Sequence, residues 1–118
     1  MKRVLIVDDS VFMLALIRTI LENNGYEIVG QAETGAVAVE LYKELRPDVV
    51  TMDITMPDMQ GLDALKEILV FDSAAKVIMI SAIQQEQMIA LAENNGAKGF
   101  VTKPFLEEQV LRAIENLD

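Results

Sequence analysis

The chain contains no cysteine and no histidine among its 118 residues. It therefore cannot form a disulfide, a cysteine nucleophile or a Ser-His-Asp triad, and it lacks the usual ligands of a zinc site. Cations are also scarce, with 10 lysines and arginines against 19 acidic residues and a net charge of −9. Because nucleic-acid affinity depends on clustered lysine and arginine, this composition argues against nucleic-acid binding by this domain.

Long apolar segments are missing as well. The apolar run Val11–Ile17 has seven residues, whereas a transmembrane helix needs roughly 18. At the N-terminus, Lys2 and Arg3 precede a four-residue apolar stretch, which is shorter than the apolar core of a signal peptide. We therefore expect a single domain over residues 1–118, cytoplasmic and monomeric, with no membrane insertion.

What the sequence does contain is a regular alternation of short apolar runs and longer amphipathic segments. The runs have strand length and are rich in β-branched residues: Val4–Val7, Ile28–Gly30, Val49–Met52, Val77–Ile80 and Phe100–Thr102. The segments between them end or begin at helix breakers, namely Asn23-Asn24-Gly25, Pro47, Asn94-Asn95-Gly96 and Pro104. Strands that are apolar throughout are buried on both faces, which predicts an α/β fold with a five-stranded, doubly wound parallel sheet.

The first helix carries an apolar stripe and a second, smaller apolar face. The spacing predicts a core stripe of Met13, Leu16, Ile17, Ile20 and Leu21. Val11 and Ala15 fall on the opposite side of the helix, with Leu14 at the border. Such residues are either scattered surface residues or a face on which a partner docks, and the sequence leaves both readings open.

Polar residues follow four of the five predicted strands. Asp8 and Asp9 follow the first strand, Asp53 the third, Ser81 the fourth and Lys103 the fifth. Each residue alone has an ordinary structural explanation, such as a helix cap, a turn or a solvated lysine. In an open α/β sheet, however, ligands bind at the carboxyl ends of the strands. The joint pattern therefore indicates a functional site at this edge.

The chemistry of this residue set points to a hard metal ion and a phosphoryl group. Three neighbouring carboxylates repel one another unless a cation is present. An all-oxygen site with few protein ligands favours Mg²⁺, and a lysine and a hydroxyl beside it suit phosphoryl oxygens. Since aspartate is an established phosphoryl acceptor, we hypothesise a Mg²⁺-assisted aspartyl-phosphate site.

Four blocks of this sequence resemble the receiver domain of two-component response regulators. They begin at Val4, Asp53, Ser81 and Lys103 and read VLIVDDS, DITMPDMQG, SA and KPF. The gaps between Asp9, Asp53, Ser81 and Lys103 are 44, 28 and 22 residues, in the order of the family. The ordered set spans the whole chain and is highly specific. The resemblance implies the strand order 2-1-3-4-5 known for such domains.

The resemblance also implies a role for each residue of the site. Asp53 would be the nucleophile and the phosphorylated residue. One Mg²⁺ would be held by Asp9, Asp53 and the backbone carbonyl of Thr55, with Asp8 acting largely through water. Lys103 would pair with a phosphoryl oxygen. Ser81 and Phe100 would switch position on phosphorylation, and the bond between Lys103 and Pro104 would be cis.

The implied function is that of a signalling switch rather than an ordinary enzyme, one that catalyses its own phosphorylation and dephosphorylation. With no histidine in the chain, the phosphohistidine must belong to a sensor histidine kinase or a phosphotransfer protein. The output would be a changed surface at helix four, strand five and helix five, recognised by a target protein. Among receivers the chain most resembles the stand-alone chemotaxis regulators, whose target could be the flagellar switch. The alternative is a receiver from another regulator or a phosphorelay.

The sequence departs from the common family pattern in two respects. Phe100 stands where the family often has tyrosine, so we expect a switch without the hydroxyl hydrogen bond. Thr55 and Ile83 would flank the path of the hydrolytic water, and because Ile83 is apolar we expect slow loss of the phosphoryl group.

Three other classes of protein fit the residues less well. A haloacid-dehalogenase-type hydrolase needs a second acid two residues after the nucleophile, where this chain has Thr55. A receiver-like module that is never phosphorylated would lack one of the site residues. A flavodoxin-like cofactor binder needs a phosphate loop after the first strand, where Asp8 and Asp9 would repel a phosphate.

Overall fold

The computed structural model describes residues 2–54, 60–82 and 85–117. Strands and helices alternate along the whole of this part of the chain. Their bounds are β1 (Arg3–Val7), α1 (Val11–Glu22), β2 (Glu27–Ala32), α2 (Gly35–Leu45), β3 (Val49–Met52), α3 (Gly61–Phe71), β4 (Val77–Ser81), α4 (Glu86–Asn94), β5 (Gly99–Thr102) and α5 (Glu107–Glu115). None of the helices described is long and apolar enough to cross a membrane.

The strands form one parallel sheet in the order β2-β1-β3-β4-β5. The predicted α/β class and strand order are therefore confirmed. The largest difference from the prediction is β2, which extends from Glu27 to Ala32 rather than from Ile28 to Gly30. As an edge strand it pairs only with β1 and exposes Glu27 and Gln31, so its outer residues do not carry the apolar signal of a central strand.

Two apolar layers cover the two faces of the sheet. Leu5, Val50 and Met79 belong to one layer, which also contains buried residues of α2 and α3. Ile6, Val49 and Ile78 belong to the other, which contains buried residues of α1 and α5. Neighbouring residues of one strand point to opposite faces, so nearly every residue of the central strands must be apolar.

The core stripe of α1 differs from the predicted one. Leu14 is only 3% exposed and packs in the layer with Ile17, whereas Leu16 is 39% exposed. The prediction that Leu14 borders a docking face is therefore wrong. Residues 13, 14, 16, 17, 20 and 21 are all apolar, so the period alone permits two stripes, and contact with the sheet selects the one containing Leu14.

The helix stops were predicted correctly, and each has a conformational reason. Gly25 and Gly96 follow α1 and α4 with φ angles of 86° and 101°, in the left-handed region where a side chain is strained. Arg46 ends α2 with a φ of 46°, and Pro47 comes next. The chain therefore leaves each of these helices abruptly and returns to the sheet.

Candidate functional site

The register of the central strands brings Asp8 and Asp53 together. Val7 of β1 is opposite Met52 of β3, so the residue after each strand lies at the same level of the sheet. The backbone hydrogen bonding continues past the strand ends, with Asp53 N–H donating to Val7 O at 3.1 Å and Asp8 N–H donating to Ala32 O at 3.0 Å. Both carboxylates are therefore positioned by the sheet itself.

Asp9 completes an acidic cluster with these two residues. One carboxylate oxygen from each of Asp8, Asp9 and Asp53 lies within 4.8 Å of the others. Asp8 and Asp53 are 1% and 8% exposed, whereas Asp9 is exposed. The cluster thus has a buried floor and one side open to solvent. The next residue, Ser10, caps α1 by accepting a hydrogen bond from Met13 N–H.

Lys103 supplies the positive charge in the cluster. Its Nζ lies 2.6 Å from Asp8 Oδ2 and 3.5 Å from Asp53 Oδ2. It follows β5, and its backbone N–H donates to Ser81 O at 2.8 Å. The Lys103–Pro104 bond is cis. Because its side chain is 14% exposed, Lys103 is not a solvated surface lysine but the counter-charge of two buried acids.

The two oxygens of each buried carboxylate have different partners. Asp8 Oδ1 accepts from the backbone N–H of Ser10 at 2.9 Å, while its Oδ2 accepts from Lys103. Asp53 Oδ1 accepts from Ile54 N–H at 2.8 Å, while its Oδ2 has the longer contact to Lys103. Asp8 is therefore fully engaged by the protein, and Asp53 is held less tightly.

Burial raises the pKa of Asp53 above its ordinary value. The positive charge of Lys103 and the hydrogen bonds from Ile54 and Lys103 act in the opposite direction, and the negative charge of Asp8 adds to the rise. Desolvation has the largest effect, so the ionised form of Asp53 is under-compensated in the metal-free protein.

Ser81 and Phe100 lie on the neighbouring strands β4 and β5. Ser81 is the last residue of β4 and is 2% exposed; α4 starts only at Glu86, so Ser81 does not cap it. Phe100 is half-buried, opposite Met79 in the sheet and packed against one core layer. It also lines a cavity of about 560 Å³ between β5 and α5.

Two of the predicted positions, Thr55 and Ile83, lie outside the described residues. Of the predicted docking residues, Val11 is 66% exposed and Ala15 is exposed, whereas Leu14 is buried, as noted above. Phe12, 77% exposed at the start of α1, was missed by the sequence reasoning because its position in the helical period carried no distinct signal.

Gly61 is a second residue that the sequence reasoning did not place in the site. A Cβ atom at Gly61 would collide with the backbone carbonyl of Asp53, and its N–H donates to Ile54 O. Only glycine allows the start of α3 to approach Asp53 so closely. The sequence did contain a signal for this role, since Gly61 ends the motif block that begins at Asp53.

Comparison with known proteins assigns the class. The family of response regulator receiver domains matches residues 4–115, and the chain belongs to this family. It is therefore a receiver domain of a two-component system.

Within that class the chain is similar to the chemotaxis protein CheY. It is 51% identical to CheY of Thermotoga maritima over 116 residues, covering 98% of this chain and 97% of the relative. It is 55% identical to CheY of Bacillus subtilis over 112 residues, covering 95% and 93%. A solved structure described as the CheX-CheY-BeF3-Mg+2 complex from Borrelia burgdorferi matches with a TM-score of 0.96 at 42% identity, covering 98% of this chain and 88% of that one.

Proposed function

We propose that this protein is a CheY-type phosphoryl switch in which Asp53 accepts a phosphoryl group from a kinase phosphohistidine. The observation that carries this proposal is the juxtaposition of Asp53 with Lys103 Nζ at 3.5 Å and with the carboxylates of Asp8 and Asp9. In the transfer, the phosphorus–nitrogen bond of phosphohistidine breaks and a phosphorus–oxygen bond to Asp53 forms. The electron pair stays on the imidazole nitrogen.

The acidic cluster suits a Mg²⁺ ion. All its side-chain ligands are carboxylate oxygens, and the exposed side at Asp9 leaves room for waters and phosphoryl oxygens. Because Asp8 Oδ2 holds Lys103 Nζ at 2.6 Å whereas Asp53 Oδ2 lies 3.5 Å from it, and because Asp9 is exposed, Asp9 and Asp53 are the better direct ligands. Thr55, outside the described residues, stays a proposed carbonyl ligand. When bound, the ion neutralises negative charge on the transferring phosphoryl group.

Lys103 and Ser81 orient the phosphoryl group in this proposal. Lys103 can exchange its longer contact with Asp53 for a phosphoryl oxygen while it keeps its 2.6 Å pair with Asp8. Ser81, at the end of β4, would turn toward the new group. The side chain of Phe100 would follow and change the surface of α4, β5 and α5.

We propose that the donor is a sensor histidine kinase or phosphotransfer protein, and that the output is recognised by a downstream protein in the cytoplasm. Val11 and Ala15, exposed on α1, would contribute to donor docking. The similarity to CheY favours chemotaxis, with the flagellar switch as target. A regulator of another pathway is the alternative.

Incubation with Mg²⁺ and acetyl phosphate tests the acceptor role. We expect one added phosphoryl group by intact mass, stable in acid, labile in base and dependent on Mg²⁺. Asp53→Asn should abolish it, and the matched variant Asp63→Asn, at an exposed acid of α3, should retain it. No adduct from either acetyl phosphate or a phosphorylated kinase would refute the proposal.

Two variants and one cellular assay test the remaining parts. Phe100→Ala should uncouple phosphorylation from target binding, and unchanged coupling would contradict its switch role.

Ile83→Glu should shorten the phosphoryl lifetime, and an unchanged lifetime would count against the apolar barrier. In Bacillus subtilis lacking its own CheY, restored swimming behaviour would support the chemotaxis assignment, with the Asp53→Asn variant as the negative control.

A further inference from the structure

A groove between α2 and α3 lies far from the acidic cluster. It has a volume of about 430 Å³ and is lined by Lys43, Lys66, Glu67, Val70 and Phe71, and we refer to it as the α2–α3 groove. It lies at the C-terminal ends of both helices, which precede the amino ends of β3 and β4. The acidic cluster lies at the carboxyl ends of the strands, so the groove is at the opposite end of the sheet.

The floor of the α2–α3 groove is apolar and exposed. Val70 is 89% exposed and Phe71 is 39% exposed. A single exposed apolar side chain needs no explanation. These two, however, are adjacent and line the same concavity, so a partner that covered them would remove continuous apolar surface from water.

Aromatic and cation–π contacts hold the ring of Phe71 in place. The ring of Tyr42 meets it edge-on with a centroid distance of 6.3 Å. The guanidinium of Arg46 lies 4.7 Å from its centroid, and Lys43 Nζ lies 5.7 Å away. Since these contacts already order the side chains, a ligand that binds here would lose less side-chain entropy.

The charge around this floor is opposite in sign to that of the whole chain. Lys43, Arg46 and Lys66 are three of only 10 cations in a chain of net charge −9. Among the lining residues, the one carboxylate is that of Glu67. The nearby carboxylate of Asp72 already accepts hydrogen bonds from Tyr42 Oη at 2.8 Å and Ala74 N–H at 3.0 Å. The rim of the groove is therefore locally positive.

We propose that the α2–α3 groove binds an acidic, amphipathic helix of a partner protein. Apolar side chains of that helix would cover Val70 and Phe71, and its carboxylates would pair with Lys43, Arg46 and Lys66. A groove between two helices fits a third helix, whose anchors recur at helical spacing. The partner binds irrespective of phosphorylation, because the groove and Asp53 are at opposite ends of the sheet.

Other occupants fit the same surface less well. A second copy of the chain, docked through the same groove about a two-fold axis, would oppose cations with cations. An anionic membrane or a nucleic acid presents extended negative charge that would also face the rest of this chain of net charge −9, whereas a single helix covers the groove alone. An acidic protein segment meets both the apolar floor and the positive rim.

Selection from a library of displayed peptides against the intact chain tests the proposal. We expect the selected peptides to combine aspartate or glutamate with large apolar residues at helical spacing. Lys66→Glu and Val70→Glu should each weaken the binding of a selected peptide about tenfold or more. The matched variants Lys98→Glu, before β5, and Val37→Glu, in the first turn of α2 and outside the groove lining, are at exposed positions and should change it less than about twofold. Asp53→Asn should have no effect.

Circular dichroism first verifies that each variant folds, and backbone amide NMR shifts locate the bound peptide. Shifts confined to α2 and α3 support the proposal. It is overturned if no acidic amphipathic peptide is selected, if Lys66→Glu or Val70→Glu binds as the wild type does, or if the shifts map to another surface. Self-association through the groove, or binding of the free chain to phosphatidylglycerol vesicles through Lys66, would assign the surface to another occupant and would equally overturn it.

Discussion

Acidic residues at the two ends of the parallel sheet have opposite environments and opposite pKa shifts. At the carboxyl ends of the strands, Asp8 and Asp53 are buried and share Lys103 as counter-charge. At the amino ends, Asp72 accepts hydrogen bonds from the hydroxyl of Tyr42 and from Ala74 N–H. Burial raises the pKa of Asp53, whereas the hydrogen bond from Tyr42, followed by that from Ala74, lowers the pKa of Asp72.

This difference separates a charge that the fold disfavours from one that it favours. Ionised Asp53 is disfavoured by the fold and becomes favourable when a cation or a positively charged partner group compensates it. Ionised Asp72 is favoured by the fold as it stands. The carboxyl end therefore carries a destabilising charge, while the hydrogen bond from Tyr42 to Asp72 links α2 to the end of α3.

Replacement of Lys103 should produce the largest change in the free energy of unfolding. In Lys103→Met the buried carboxylates of Asp8 and Asp53 lose their counter-charge, and we expect the free energy of unfolding to fall by about 2 kcal/mol at neutral pH without metal. Urea denaturation followed by circular dichroism measures it. The exposed control Lys98→Met should lose less than about 0.5 kcal/mol of unfolding free energy. Equal losses in the two variants would show that Lys103 does not stabilise the buried carboxylates at the carboxyl end of the sheet.

Replacement of Asp53 should stabilise the metal-free protein. A carboxyl whose pKa is raised in the folded state makes the fold bind more protons than the unfolded chain, so stability falls as the pH rises from the ordinary aspartate pKa through the raised one. We expect Asp53→Asn to gain about 1 kcal/mol at pH 7 and nothing at a pH below the ordinary pKa. A gain that persisted in acid, or a gain of the same size in Asp63→Asn, would contradict this origin.

Loss of the Tyr42 hydroxyl should show the opposite pH dependence. The lowered pKa of Asp72 contributes stability above its ordinary pKa, and this is lost as the pH falls through the folded value. Tyr42→Phe should destabilise the protein at neutral pH, with the loss shrinking in acid. Urea denaturation over a pH series checks this, with Tyr26→Phe as the control. Because Tyr42 and Asp72 share the hydrogen bond, the effects of Tyr42→Phe and Asp72→Asn should not add in the double variant. A pH-independent loss would mean that packing, not the hydrogen bond, is responsible.

The smallest effect is expected between the two ends, at Thr51 in β3. Its hydroxyl is buried and has no hydrogen-bond partner among the residues that the structure describes, and its neighbours in the sheet are Ile6 and Ile78. Thr51→Val keeps the shape and removes the polar atom, so we expect a gain of about 0.5 kcal/mol in thermal or urea unfolding. The reciprocal change Val50→Thr should destabilise the protein. A loss of stability in Thr51→Val would show that the hydroxyl does form a hydrogen bond, as the carboxylates of Asp53 and Asp72 at the two ends of the sheet do.

The sequence predicted most of the architecture because each local signal agreed with the fold. Apolar runs marked the central strands, and Gly25, Pro47 and Gly96 marked the helix ends. The edge strand β2 was predicted too short, since Glu27 and Gln31 interrupt its apolar pattern. The stripe of α1 was predicted with Leu16 as a member where the structure has Leu14, because two apolar stripes fit the same period.

By itself, the sequence determined which chemical groups stand at the ends of the strands and, through its ordered motifs, the family to which the chain belongs. Strand-end positions follow from the chain order, because parallel strands all present their carboxyl ends to one edge. Only the tertiary structure decided that Lys103 pairs more closely with Asp8 than with Asp53, that Gly61 must have no side chain, and that Tyr42 meets Asp72. These contacts join residues distant in sequence, and their distances depend on how the helices pack on the sheet, which no local pattern encodes.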